Sequence, residues 1–327
     1  MSFDETRHWF DLLFQNRVEE SEAREKLIKM HIEGESDVDL AAAASVMREH
    51  SIKLSLDKSM RDRVIDIVGT GGDKSGSFNI SSTTSLVVSS LGCLVAKHGN
   101  RAVTSNSGSA DMLEALGINL NLDIGNQAKM LKMCGFTFMF AVNHHPAMRH
   151  IMPIRRSIDH STIFNILGPL TNPAGASKYL LGAYPKKFLQ PMARALSMLN
   201  SPSSLVVCSR DGMDEISISG VSDAILVQDE NIKELEIDPE AYGLKLYPFE
   251  AIKGGNAAYN AQIARDIFDG KEQGAKKEII LLNSAAALFV EGRARDIKEG
   301  IEMARMAIDG RLAKSKLELI VEVSNNL

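Results

Sequence analysis

The segment Asp66-Ile-Val-Gly-Thr-Gly-Gly-Asp73, followed by Phe78-Asn-Ile-Ser-Ser82 and Lys97-His-Gly-Asn-Arg101, joins residue types that can hold phosphate. Gly69, Gly71 and Gly72 remove side chains where a large ligand could approach the backbone. Exposed amides in such a loop bind phosphate oxygens, and a helix start behind it adds a favourable dipole. Lys97 and Arg101 supply two cations suited to a polyanion. Two such loops imply a ligand with two anionic ends. Neither common nucleotide motif fits. Gly76 is followed by Ser77 and Phe78, where a P-loop needs Lys and then Ser or Thr. Lys74 stands where a dinucleotide fingerprint counted from Gly69 needs Gly. Further on, Asp214 and Glu215 are adjacent hard-oxygen ligands suited to Mg²⁺, the plainer reading being a charged turn. No Ser/His/Asp or Cys/His nucleophile arrangement stands out. His144, His150 and His160 read as structural.

The elements that must position these residues follow from periodicity. Residues 4–50 are helical in pattern, and Ser36 and Asp37 cap a helix from about Val38 to Glu49. Ser51 to Arg63 is polar and reads as a linker. From residue 64 short apolar strands alternate with helices. Strands are expected over Val64–Val68, Cys93–Ala96, Phe136–Val142 and Ser204–Val207, with a β-hairpin region over Ile216–Val227. Helices are expected over Ser109–Gly117, Gln127–Cys134, Phe188–Leu199, Asn256–Phe268 and Ile279–Val290. Strands interleaved with helices mean an α/β sheet.

The 327 residues can bury a substantial core, and 44% hydrophobic with 24% charged residues is ordinary for a globular protein. A net charge of −5 argues against a dedicated nucleic-acid binder. Cys93, Cys134 and Cys208 lie far apart without metal spacing, as buried thiols of a reducing compartment do. Ser75 to Ala96 lacks charge but is rich in Ser and Thr, so a polar helix wins over a membrane span. With no signal peptide in the acidic N-terminus, the expected location is cytoplasmic, with no membrane partner.

Val68-Gly-Thr-Gly-Gly-Asp73, Phe78-Asn-Ile-Ser81, Ala96-Lys-His-Gly-Asn-Arg101, Ser107-Gly-Ser-Ala-Asp111, His145-Pro-Ala-Met-Arg149, Thr162-Ile-Phe-Asn-Ile-Leu-Gly-Pro-Leu-Thr-Asn-Pro173 and Asp211-Gly-Met-Asp-Glu215 together resemble the anthranilate phosphoribosyltransferases of tryptophan biosynthesis. The resemblance implies transfer of the phosphoribosyl group of phosphoribosyl pyrophosphate to the amino group of anthranilate, without a covalent nucleophile. It implies an α/β fold: a small N-terminal helical domain over 1–57, joined by a returning segment about 154–178, and a larger α/β domain with a mixed central sheet over 58–153 and 179–327. It assigns Gly69, Gly72, Asp73, Ser77, Asn79, Ile80, Ser81 and Ser82 to phosphoribosyl pyrophosphate. Lys97, His98, Gly99, Asn100, Arg101, Ala102, Val103, Thr104, Ser105 and Ser109 complete that set. Anthranilate falls to Gly69, Asn100, Arg155, His98, His145 and Pro169, with Arg155 on the carboxylate. Ser81, Asp214 and Glu215 fall to Mg²⁺, two ions per chain with substrate bound.

The resemblance further implies a homodimer through the helical domain. Where relatives carry small apolar residues, this chain has the charged run Arg24-Glu-Lys26, so a weakened interface is expected. Two other readings compete. A pyrimidine nucleoside phosphorylase of similar fold would carry a Lys-His-Ser type loop, and Lys97-His-Gly-Asn disagrees. A nucleic-acid-binding relative would lack the acceptor Arg or the acidic pair.

Overall fold

The computed structural model describes residues 1–102 and 106–327. The expected ligand positions Val103, Thr104 and Ser105 lie outside the described residues. Seven strands form one sheet: β1 (Val64–Gly69), β2 (Leu94–Gly99), β3 (Phe136–Phe140), β4 (Lys178–Gly182), β5 (Ser203–Ser209), β6 (Ser222–Gln228) and β7 (Asn231–Ile237). Their order is β3-β2-β1-β4-β5-β6-β7. The first five are parallel and the last two antiparallel, which makes the sheet mixed, as expected. The chain winds outward from β1 to β3, then restarts at β4 on the other side of β1. Such a reversal leaves a crevice beyond the carboxyl ends of the strands, where α/β sheets bind ligands.

Alternate strand residues serve two cores. Ile65, Ile67, Leu180, Leu205 and Val207 face one apolar cluster with the helices Ile80–Ser90, Ala257–Phe268, Ala275–Glu291, Ile297–Asp309 and Leu312–Asn326. Val64, Tyr179, Leu181 and Val206 face a second cluster. That cluster contains Trp9, Phe10, Leu27 and Leu40 of the N-terminal helices Phe3–Phe14, Glu20–Glu33 and Asp37–Glu49, together with Leu167 and Leu170. The helical region is thus packed continuously onto the sheet.

The uncharged stretch becomes the helix Ile80–Ser90 followed by β2. Its hydroxyls turn inward without penalty where they bond their own helix: Thr83 to Asn79 O, Ser85 to Ser81 O, Ser89 to Leu86 O. Among the described residues no helix is long and apolar enough to cross a membrane.

Several expected boundaries shift. The linker is docked: Leu54 and Leu56 are buried, and Asp57 caps a helical turn at Lys58–Arg61. β3 stops at Phe140, and Ala141–His144 turns helical. The hairpin is β6–β7, displaced from Ile216–Val227. Ile216 and Ile218 are buried and mimic a strand, but the Ile216 backbone is bonded at both N–H and C=O to the Asn283 amide. β7 is largely exposed and charged, so no apolar alternation marks it. β4, four of whose five residues are buried, shows no alternation either.

Candidate active site

The loop after β1 crosses the carboxyl end of the sheet. Gly71, Gly72, Lys74 and Gly76 all adopt positive φ, which folds the loop tightly. Ser77 bridges to Lys253, and Phe78 N donates to Ile252 O at 3.2 Å, so the loop is pinned to the far wall. Asn79 then begins the helix Ile80–Ser90 without capping it by its side chain. Its amide is taken instead: Nδ2 donates to Ser107 O, and Oδ1 accepts from Asn260 Nδ2 at 2.9 Å. Ile80 N donates to Phe78 O at 2.7 Å, and the Ser81 backbone bonds the Glu215 carboxylate, so the start of this eleven-residue helix is tied to the acidic residues.

Lys97 points from β2 beneath this helix start. Only 2% exposed, it donates from Nζ to Ile67 O at 2.6 Å and to Ser81 Oγ at 3.2 Å. Burial lowers its pKa, opposed by the charges of Asp66, Glu215 and Asp214. Arg101 behaves differently. It is half exposed and forms a fork on Glu114, with a further bond to Asp111, so its charge is already matched. Of the two expected cations, Lys97 alone lacks an adjacent salt-bridge partner. Asp111 also accepts from Ala102 N and Gly108 N, both at 2.9 Å, and Ser109 Oγ donates to Asn100 O. These bonds clasp the two ends of the second loop.

Asp73, Asp214 and Glu215 each offer a carboxylate oxygen within 4.8 Å of the others. Asp214 Oδ2 accepts from Gly71 N at 2.6 Å. Burial first, then the neighbouring negative charges, push the Asp214 and Glu215 carboxyls well above the ordinary range. Three crowded carboxylates, two of them desolvated, are the donor set of a hard divalent cation, and they fit Mg²⁺. Asp73, expected at the phosphoribosyl site, therefore joins the acidic pair. Gly69 and Gly182, paired across β1 and β4, make the floor under Asp214. A Cβ at Gly69 would overlap the Asp214 carboxylate, and one at Gly182 its carbonyl oxygen. Asp211 anchors the same turn by accepting from Ser209 Oγ and Ser217 Oγ.

On the second face the His98 and His145 rings meet edge to face, 5.2 Å apart. His98 donates from Nδ1 to Gly168 O at 3.1 Å, which fixes its neutral tautomer and leaves Nε2 an acceptor. Burial drives His98 down to about 3 and His145 to about 4. His98 Nε2 and both His145 ring nitrogens are buried without a hydrogen-bond partner. The Thr171 backbone lies near enough to raise the His145 pKa without an ordinary hydrogen bond. Buried nitrogens are thus left unpaired next to the Gly168–Pro169 turn, which a native fold keeps only at a cost. Arg155 stands apart, contacting Met152, the Phe164 ring and Asn165 Oδ1 of its own segment.

The glycine loop, Lys97 and the acidic residues thus meet at one end of the sheet, and His98 of β2 reaches both His145 and the Gly168–Pro169 turn. Sequence reasoning gave no role to Asp66, Gly182, Asn172 or Asn260. Asp66 alone carried a signal, a charge in the middle of an apolar strand.

Residues 61–313 match the family described as "Glycosyl transferase family, a/b domain". An anthranilate phosphoribosyltransferase of Xanthobacter autotrophicus is 43% identical over 324 residues, covering 99% of this chain and 93% of that protein. The crystal structure of the Thermus thermophilus anthranilate phosphoribosyltransferase superposes with a TM-score of 0.92 at 38% identity, covering 99% of this chain and 96% of that one. The Saccharomyces cerevisiae enzyme in complex with phosphoribosyl pyrophosphate and Mg gives 0.88 at 25% identity, covering 100% of this chain and 94% of that one. By sequence along its whole length and by the fold that carries this crevice, the chain belongs to the anthranilate phosphoribosyltransferase family.

Proposed function

We infer that this protein transfers the phosphoribosyl group of 5-phosphoribosyl 1-pyrophosphate to the amino group of anthranilate, giving N-(5-phosphoribosyl)anthranilate and pyrophosphate. The observation that carries this is that a positive-φ glycine loop, a buried Lys97 and three close carboxylates come together at one end of the sheet. The first two suit phosphates, and the carboxylates suit the cation that accompanies them. The C1–oxygen bond to pyrophosphate breaks as the amine nitrogen bonds C1 from the opposite face. No covalent nucleophile is needed, so rate comes from placement and from neutralising the leaving group.

Loop amides and the helix start orient the phosphates, and Lys97 adds positive charge from below. Asp214 and Glu215, with Ser81 and Asp73, would hold Mg²⁺, which supplies charge to the departing pyrophosphate when bound. Two ions per chain with substrate bound is the finer reading. His98, His145, Pro169 and Asn100 receive the aromatic ring, and Arg155 grips its carboxylate through two parallel hydrogen bonds.

The domain division is part of the same proposal: a helical domain over 1–57 and about 154–178, the α/β domain over the rest, and the acceptor entering between them. So is a homodimer through the helical domain. Three free, buried cysteines favour the cytoplasm, and net acidity speaks against nucleic acid. Consumption of anthranilate fluorescence, with phosphoribosyl pyrophosphate and Mg²⁺ supplied or withheld, tests the reaction. Turnover requiring all three is expected. Phosphorolysis of thymidine or uridine without anthranilate turnover would instead indicate a nucleoside phosphorylase.

A further inference from the structure

Three alternate residues of the returning segment are gripped by three different parts of the fold. Gly168 O accepts from His98 Nδ1 at 3.1 Å. Leu170 O accepts from Arg48 Nε of the helix Asp37–Glu49 at 2.6 Å. Asn172 Nδ2 donates to Asp66 Oδ2 at 2.7 Å and to Ala96 O at 2.8 Å. Pro169 sits among these anchors.

Asp66 is the deepest of the three. It occupies the centre of β1 with no exposed surface, and its second oxygen accepts from His98 N at 3.3 Å. One carboxylate therefore joins β1, β2 at His98 and the segment that carries Pro169. A fully buried carboxylate is a costly way to fill a strand, since an apolar residue of similar volume serves packing as well. What the carboxylate adds is acceptance of two hydrogen bonds from two site-bearing segments, within the field of the Lys97 ammonium.

We propose that Asp66 is a positioning residue for the acceptor half of the site, holding His98 directly and Pro169 through Asn172 in register with the phosphoribosyl half. The inference rests on the acceptor roles given above to His98 and Pro169. The bonds make Asp66→Asn a selective lesion. Asn172 cannot reverse its amide, because Oδ1 already accepts from Ala174 N at 2.9 Å and Nδ2 also serves Ala96 O. Whichever way the new amide at position 66 turns, it opposes one donor with another, at unchanged volume.

The test is steady-state kinetics in both substrates for the wild type, Asp66→Asn, Asn172→Ala and the double variant, with thermal unfolding of each. The Michaelis constant for anthranilate should rise roughly tenfold in each single variant, the size of one charged hydrogen bond. That for phosphoribosyl pyrophosphate should move less than about twofold, within the same free-energy scale. The double variant should be no worse than the worse single, because both remove one arm. An unmoved anthranilate constant overturns the proposal, as does an equal rise in both constants or a fall in melting temperature alone. Should Asp66→Asn not fold, Asn172→Ala decides by the same readout, since it leaves the buried charge in place. A wild type without turnover sinks the functional reading and this inference with it; wild-type turnover with unmoved constants sinks the positioning role alone.

Discussion

Arg155 has its guanidinium lodged against Phe164 and Asn165, and burial lowers its pKa without a carboxylate to offset the effect. A ligand carboxylate would supply that offset. Arg155→Ala should therefore raise the anthranilate Michaelis constant by the worth of a charged hydrogen-bond pair, ~1.5–3 kcal/mol, and leave the phosphoribosyl pyrophosphate constant nearly unchanged. An unchanged anthranilate constant in a folded variant removes Arg155 from the site. The buried histidines make a second prediction. The unfolded chain protonates both imidazoles below their ordinary value of 6.5, whereas folded His98 and His145 resist to about 3 and about 4. Unfolding binds protons in that window, so these two groups make stability fall as pH drops from 6.5. Asp66 acts oppositely. Burial raises it from 3.8 to about 6, so the folded chain binds the extra proton between those values and gains stability as pH falls. Asp66→Asn removes the compensating uptake. Its urea midpoint should fall more steeply from pH 7 to pH 4.5 than that of the wild type, and parallel slopes would refute the Asp66 shift.

Among elements, the crowded meeting of β1, β4 and the turn after β5 decides whether the carboxylates converge. Gly182 of β4 leaves room for the Asp214 carbonyl, and Gly69 of β1 for its side chain. Gly182→Ala should push the turn away at an overpacking cost of about 1–3 kcal/mol. Calorimetry should then show weakened Mg²⁺-dependent binding of phosphoribosyl pyrophosphate, and unaltered binding would mean that the turn yields without harm. Asp214→Asn with Glu215→Gln should keep the fold and nearly abolish turnover, because the amides supply no charge to hold the cation. Near-normal activity at limiting Mg²⁺ would place the metal elsewhere. The glycine loop and Asp214-Glu215 were legible as motifs. Gly182 was not, because its constraint comes from a turn distant in sequence, and a lone Gly at a strand end has many plainer explanations.

For the whole molecule, the expected weak dimer depends on where Arg24-Glu-Lys26 faces. Lys26 lies 4.3 Å over the Trp9 ring, and Arg24 donates to Ser157 O at 3.3 Å. Two of the three charges thus have partners within the chain, although Arg24 and Glu25 remain exposed to any neighbour. Mass photometry across a dilution series should show a homodimer that dissociates at nanomolar concentration, with specific activity preserved. A dimer intact at that concentration refutes the weakened interface, and activity lost on dilution refutes independent sites. The sequence by itself determined the α/β class, the polar helix beneath the loop, the glycine-bearing loop and the acidic pair. Each rests on local chemistry: glycine where backbone must be bare, alternation where a strand is half buried, adjacent carboxylates where a cation would fit. Tertiary structure alone decided that β4 inserts beside β1 and that Asp73 joins Asp214 and Glu215. It also paired Arg101 with Glu114 and placed Asp66 where β1, β2 and the returning segment meet. The carboxylate cluster and the placement of Asp66 depend on which distant segments share one desolvated space, where an unpaired charge is too costly to remain alone, and no local pattern encodes that sharing.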